Sequence, residues 1–146
     1  MIRFNIEKAT SKNAGDAREW GAAAHYGVSR SKHDSVSYDK GSDIEAGALN
    51  VSVKSSGATL MSGNLCEGRE DFDGIWELYE SRTHSNRFLY VTVDMVGYEM
   101  SLSEFKAFIY AFGRTERESS KNGGAMKIRL RKESSKMLRW LEERAA

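Results

Sequence analysis

The sequence predicts a mixed α/β (α+β) domain, in which helices pack on both faces of a mixed sheet. Three observations lead to this prediction. Amphipathic helical segments alternate with strand-like segments, one strand-like segment is apolar at nearly every position, and 40% of the 146 residues are hydrophobic. A chain of this length fits one domain, 1–146, with a predicted core over about 16–94 and a helix–strand–helix extension over 101–145.

Four segments are predicted as helices, because their apolar residues recur every three to four positions. Ser101 and Glu104 have the spacing of a capping box, and Asp16 and Glu19 have a similar spacing at the first helix. Glycines at 27 and 113 are natural helix ends. The predicted helices span residues 16–26, 71–81, 101–112 and 134–144.

The strand predictions follow from alternation and from apolar runs. Residues 41–45 and 49–56 form a predicted hairpin that turns through 46–48. Residues 87–95 are apolar enough to form a central strand covered on both faces, and residues 98–100 are expected to pair back on it. Residues 125–132 alternate as a strand, 36–38 is a short candidate strand, 1–10 is a strand or a loose arm, and 114–124 is a charged loop.

Several classes of protein are excluded by composition and motifs. Cys66 is the only cysteine, so no internal disulfide can form and a reducing compartment is expected. No run approaches the roughly 18 apolar residues of a membrane span, and the first residues have no apolar leader. The chain contains no phosphate-binding loop of the Walker or Rossmann type. We therefore expect a cytoplasmic protein with no membrane partner and no nucleotide cofactor.

Charge is distributed unevenly along the chain. Residues 41–84 carry three Lys/Arg against eight Asp/Glu, whereas residues 85–146 carry twelve against eight. Lys127, Arg129 and Arg131 share one face of a predicted strand, and Lys and Arg of this kind bind phosphates without reading sequence. The alternative is a solubilising face that protects a sheet edge.

The hairpin over 41–56 carries the residues most suggestive of chemistry. Asp43 and Glu45 share one face of its first strand, and Ser52 and Lys54 share one face of its second. We expect a four-residue loop to place Asp43 across from Ser52 with Lys54 in reach, and a two-residue loop to place Asp43 across from Asn50. The sequence leaves this register open.

Carboxylates beside a lysine suit phosphodiester hydrolysis. Two or more carboxylates can hold Mg²⁺ while leaving coordination positions for water and phosphate. A lysine next to the metal can position the attacking water, help to deprotonate it, or stabilise the charged transition state. The alternatives without a catalytic role are that Asp43 is an ordinary turn residue and that Lys54 is a surface lysine on a strand.

Asp43, followed across the hairpin by Ser52-Val53-Lys54, resembles the core motif of the PD-(D/E)xK nucleases, the superfamily of restriction enzymes and Holliday-junction resolvases. In that superfamily an Asp ends one strand and a (D/E)xK triplet lies on the next. The predicted element order over 16–94, αβββαβ, is similar to that of the family. The chain as a whole also resembles proteins of mobile elements and phages.

This chain departs from the family pattern at Ser52, which stands where the triplet has its acid. Some restriction enzymes of the superfamily share Ser-Val-Lys and take the missing carboxylate from a Glu on the following helix. The resemblance therefore implies Glu67, Glu70 or Glu45 as the second metal ligand beside Asp43. An acid on the first helix is also frequent in the family, and Glu19 matches it.

The resemblance implies a restriction-endonuclease-like fold and a Mg²⁺- or Mn²⁺-dependent endonuclease that acts on DNA, with a homodimer as the expected assembly. Asp43, Lys54, Ser52 and Glu67 are its implied catalytic residues. The predicted nucleic-acid contacts are Lys127, Arg129, Arg131, His33 and Arg87, where His33 and Arg87 belong to polar loops near the candidate site. The alternative function is a catalytically inactive module of a mobile element that binds nucleic acid or protein.

Overall fold

The computed structural model of the protein describes residues 1–7, 14–28, 43–61, 68–117 and 126–145. These residues form helices α1 (Ala14–His25), α2 (Phe72–Arg82), α3 (Leu102–Phe112) and α4 (Ser135–Ala145). The strands are β1 (Ile2–Asn5), β2 (Ile44–Ala46), β3 (Leu49–Lys54), β4 (Thr59–Met61), β5 (Arg87–Val91), β6 (Val96–Met100), β7 (Gly113–Arg117) and β8 (Met126–Leu130). Among the described helices, none has the length and apolar character needed to cross a bilayer.

The strands form two sheets, which confirms the predicted α+β class. The larger sheet has the order β1-β6-β5-β3-β2, and the smaller has the order β4-β8-β7. In the larger sheet β3 and β5 run parallel, and the other neighbours are antiparallel. The parallel pair requires a crossover, which here contains β4 and α2. β5 is central and buried at four of its five positions, as its continuous apolar character predicts.

Helices cover both faces of the larger sheet. On one face α1 packs through Ala22 and Ala23 against Val51 of β3 and Leu89 of β5. On the other face a larger cluster joins Phe88 of β5 to α2, α3, β8 and α4. The large apolar side chains of this second cluster are almost completely buried, so it forms the main core: Trp76, Phe88, Tyr90, Phe105, Phe108, Ile109, Ile128 and Leu130.

Side chains cap the starts of two helices, and the cap at Ser101 was predicted from the sequence. The side chain of Asp71 accepts the amide of Gly74 at the start of α2. Ser101 and Glu104 form the expected capping box at the start of α3, and Gly113 ends that helix. α1 begins at Ala14, two residues before the predicted start, so Asp16 lies inside the helix rather than at its cap.

The smaller sheet was not predicted. Residues 113–117 form β7 rather than the start of a charged loop, because their backbone pairs with β8 from Gly113↔Leu130 to Arg117↔Met126. β4 pairs with the opposite edge of β8. The candidate strand at 36–38, His33 and Glu67 lie outside the described residues.

Candidate functional site

The β2–β3 hairpin brings Asp43 next to Ser52. Its turn is the two-residue Gly47-Ala48, in which Gly47 has a φ of 61°, and Ala46 pairs with Leu49. Ile44 pairs with Val51, and continuing this register by one residue places Asp43 opposite Ser52. The register expected for the longer loop is thus the one observed, and the expectation that a two-residue loop pairs Asp43 with Asn50 was wrong.

Asp43 continues the hydrogen bonding of β2 beyond the end of that strand. Its backbone amide donates to the carbonyl of Val51 at 2.8 Å, and its Oδ2 accepts the amide of Val53 at 2.7 Å. The carboxylate therefore takes the place of a backbone acceptor at the edge of β3, one residue before Lys54. This arrangement fixes where the carboxylate lies.

Lys54 lies close to two carboxylates. Burial lowers the pKa of its ammonium, and the negative charges of Asp43 and Glu19 partly offset that effect by raising the pKa. Asp43 follows from the hairpin register, while Glu19 comes from α1. The hairpin thus places the predicted aspartate beside the predicted lysine at the end of β3, and the charge of the helix acid Glu19 also acts on that lysine.

Ser52 is buried, with 1% of its surface exposed, and lies on the face of β3 covered by α2. The hydroxyl of Tyr79, on α2, lies close enough to Ser52 and Thr83 for both to lower its pKa, although burial raises that pKa more strongly. Among the described residues this hydroxyl has no hydrogen bond of good geometry. Tyr79 was predicted only as a core residue, because its helical spacing matches that of its apolar neighbours.

The carboxyl end of β5 lies beside Lys54, since Lys54 pairs with Tyr90 in the parallel register. The hydroxyl of Tyr90 donates to Glu133 at 2.9 Å, and Glu133 also accepts the amide of Val93. Burial raises the pKa of Tyr90, and the positive charge of Arg18 on α1 opposes this. Sequence reasoning missed Glu133 and Tyr90, because no local pattern links residues 43 positions apart.

The remaining candidate acids lie elsewhere. Glu45 pairs with Asn50, two residues before Ser52 on β3. Glu70 is exposed and forms an ion pair with Arg117 at 3.7 Å. Within the described part of the chain, no group of three or more His, Cys, Asp or Glu residues is arranged to hold a metal ion. Of the implied ligands, only Asp43 is therefore placed at Lys54, and Glu67 lies outside the described residues.

The predicted nucleic-acid contacts fall into two groups. Arg87 pairs with Val51 at the start of the parallel strands, so it lies at the opposite end of β5 from the residue beside Lys54. Lys127 and Arg129 lie on β8, where Lys127 pairs with Glu116 and Arg129 forms an ion pair with it at 3.1 Å. Arg131 follows β8 and is exposed. The basic stripe is therefore partly neutralised along β8.

Comparison with known proteins gives no relative: no protein-family model, no curated protein and no solved structure matches the chain. Lys54 is half-buried at the carboxyl ends of the parallel strands β3 and β5, where the charges of Asp43 and Glu19 act on it. In open α/β sheets this is the edge at which ligands commonly bind.

Proposed function

We propose that this protein is a metal-dependent phosphodiesterase that acts on DNA, an endonuclease of the PD-(D/E)xK type. The observation that carries the proposal is the position of Asp43 beside Lys54 at the carboxyl end of β3, with the charge of Glu19 also acting on Lys54. These are the positions that the resemblance to the superfamily implies for a metal ligand, the lysine of the triplet and a helix acid.

The donor set fits a magnesium ion in part. Mg²⁺ is commonly held through one or two carboxylates, with waters and substrate phosphates completing its six positions. Asp43 and Glu19 are the two carboxylates whose charge acts on Lys54, and Glu67 remains the proposed further ligand. When bound, the ion supplies charge neutralisation at the phosphate and activation of water.

The chain's own residues contribute position and charge. The side chain of Asp43 is restrained, because its Oδ2 accepts a hydrogen bond from the amide of Val53. Lys54 as an ammonium can donate to a phosphate oxygen and stabilise charge that develops there. Because burial lowers its pKa, Lys54 also loses its proton at a lower pH than an ordinary lysine, and the neutral amine can accept a proton from water. Ser52 is too deeply buried to touch substrate.

The test is cleavage of supercoiled plasmid and of branched DNA with Mg²⁺ or Mn²⁺, comparing wild type with Lys54→Ala and Asp43→Ala. We expect nicked or linear products from wild type only, and none in EDTA. Cleavage that survives both substitutions would refute this site. Sedimentation of the same preparations tests the expected homodimer.

A second function is an inactive module that binds nucleic acid or protein. It is favoured by Ser52 in place of the triplet acid and by the lack, among described residues, of a group of three metal ligands. This function predicts that DNA is retarded in a gel without cleavage, and that Lys54→Ala leaves binding unchanged.

A further inference from the structure

A strongly basic cavity lies beside the smaller sheet. Its volume is about 700 Å³, within the range of small-ligand sites in proteins. Its uncharged part is formed by Gly57, Ala111, Phe112, Leu130 and Ser134. Its charged lining consists of five cations and one carboxylate: Arg114, Arg129, Arg131, Lys132, Lys136 and Glu116.

The single acid does not neutralise this cavity. Glu116 lies 3.1 Å from Arg129 and 3.6 Å from Arg114, so its one negative charge is shared between two guanidinium groups. Arg131, Lys132 and Lys136 are exposed, and the described residues form no ion pair with them within 4.0 Å. An anion that enters the cavity would therefore meet an excess of positive charge.

The walls of the cavity are held by backbone hydrogen bonds. Leu130 donates to Ala58 at 2.7 Å, and Arg131 donates to Phe112 at 2.9 Å. Ser134 caps the start of α4, since its side chain accepts the amide of Met137 at 3.2 Å. The positive end of the α4 dipole thus lies at the cavity, which adds to the attraction of its cations for phosphate.

The cavity lies near the candidate catalytic residues. Gly57, which lines it, is three residues after Lys54, so their Cα atoms are at most about 11 Å apart. Glu133, next to Lys132, accepts the hydroxyl of Tyr90, which pairs with Lys54. The amide of Glu133 also donates to Ser56 at 2.8 Å. At a rise of about 3.4 Å per nucleotide, the limit of about 11 Å on the distance between Gly57 and Lys54 corresponds to at most about three nucleotides.

We propose that the cavity is a discrete phosphate subsite, which holds the backbone of a nucleic-acid strand within about three nucleotides of the phosphate at Lys54. The inference rests on the proposed function for the position of the reacting phosphate. It goes beyond that function by assigning strand binding to the cavity, at Arg131, Lys132 and Lys136, rather than to the face of β8 that carries Lys127.

The experiment measures equilibrium binding of fluorescent single-stranded and duplex oligonucleotides in EDTA, as a function of salt. The test variant is the double substitution Lys132→Ala with Lys136→Ala. The control is Arg139→Ala with Lys106→Ala, which also removes two exposed cations but none from the cavity. Melting of each variant checks that its fold is intact.

We expect the cavity variant to bind about tenfold more weakly than wild type at low salt and to lose about 2 from the slope of log affinity against log salt. The control should stay within about twofold of wild type. Equal losses in the two variants, or no binding by wild type, would overturn the proposal.

Two further comparisons separate the sources of phosphate. Inorganic phosphate and a mononucleotide should compete only at concentrations far above that of the oligonucleotide. A mononucleotide that binds as tightly as the strand would overturn the strand assignment. Cleavage with Mg²⁺ is scored separately, so a protein that binds through the cavity without cutting DNA refutes the proposed enzyme and leaves the subsite standing.

Discussion

The carboxylate of Asp43 has a structural role as well as its proposed chemical one, because it accepts the amide of Val53. We predict that Asp43→Ala leaves this amide unpaired and lowers the free energy of unfolding by about 1–3 kcal/mol. Asp43→Asn keeps an oxygen acceptor, so it should lower the free energy of unfolding by clearly less. It still loses the negative charge that a metal needs. Urea denaturation measures both, and equal costs would show that the hydrogen bond does not stabilise the hairpin.

Lys54 should make stability depend on pH in the alkaline range. Its folded pKa is lowered by burial, so between that pKa and the unfolded value of about 10.4 the unfolded chain binds more protons. The free energy of unfolding of wild type should therefore rise with pH in this window, relative to Lys54→Met. Denaturation of both proteins across the window measures the difference, and a difference that does not change with pH would contradict the lowered pKa.

At the residue scale, the sequence predicted the pair that the hairpin brings together. Alternation places Asp43 on the same strand face as Glu45, and Lys54 on the same strand face as Ser52. The register of β2 with β3 then brings Asp43 close to Lys54. Glu133 could not be predicted in this way. It reaches Tyr90 only because β8 and α4 pack on the larger sheet, and such a long-range contact leaves no periodic signal in either segment.

The start of α3 shows how much a local signal contributes to one element. Ser101 accepts the amide of Glu104, and the side chain of Glu104 accepts the amide of Ser101. We predict that Ser101→Ala lowers the free energy of unfolding by about 1 kcal/mol. Ser135→Ala, at an exposed position in the first turn of α4, is the control and should change stability by less than half as much. Thermal or urea denaturation measures the stability of both variants, and equal losses would contradict the role of the capping box.

Elements with an apolar face could be predicted, and elements without one could not. β5, α2 and α3 each bury several large side chains, so their periodicity is strong. β7 has the sequence Gly-Arg-Thr-Glu-Arg and no large apolar residue, yet it is a strand because its backbone pairs with β8 along five residues. Pairing of this kind depends on the partner strand and leaves no signal in the sequence of the segment itself.

At the scale of the whole molecule, the C-terminal helix belongs to the main core. Met137 and Leu141 of α4 are fully buried in the cluster that contains Phe88 and Ile75. We predict that Leu141→Ala lowers the free energy of unfolding by about 2–5 kcal/mol, like a substitution within the larger sheet. Fluorescence and circular dichroism should report one shared transition. Separate unfolding transitions for α4 and for the larger sheet would contradict a single cooperative core.

In the proposed function, a metal-assisted cut of DNA would occur at Asp43 and Lys54 beside the end of β3, with Glu19 of α1 acting on Lys54 through its charge. The most direct measurement is the single-turnover rate of DNA cleavage against Mg²⁺ concentration. It compares wild type with Asp43→Asn and Lys54→Met, and uses Asp94→Asn, an exposed acid of the β5–β6 turn, as the control. We predict a Mg²⁺-dependent rate in wild type and control that falls at least about 100-fold in both site variants. A rate that is independent of Mg²⁺, or unchanged in Asp43→Asn and Lys54→Met, would contradict the account.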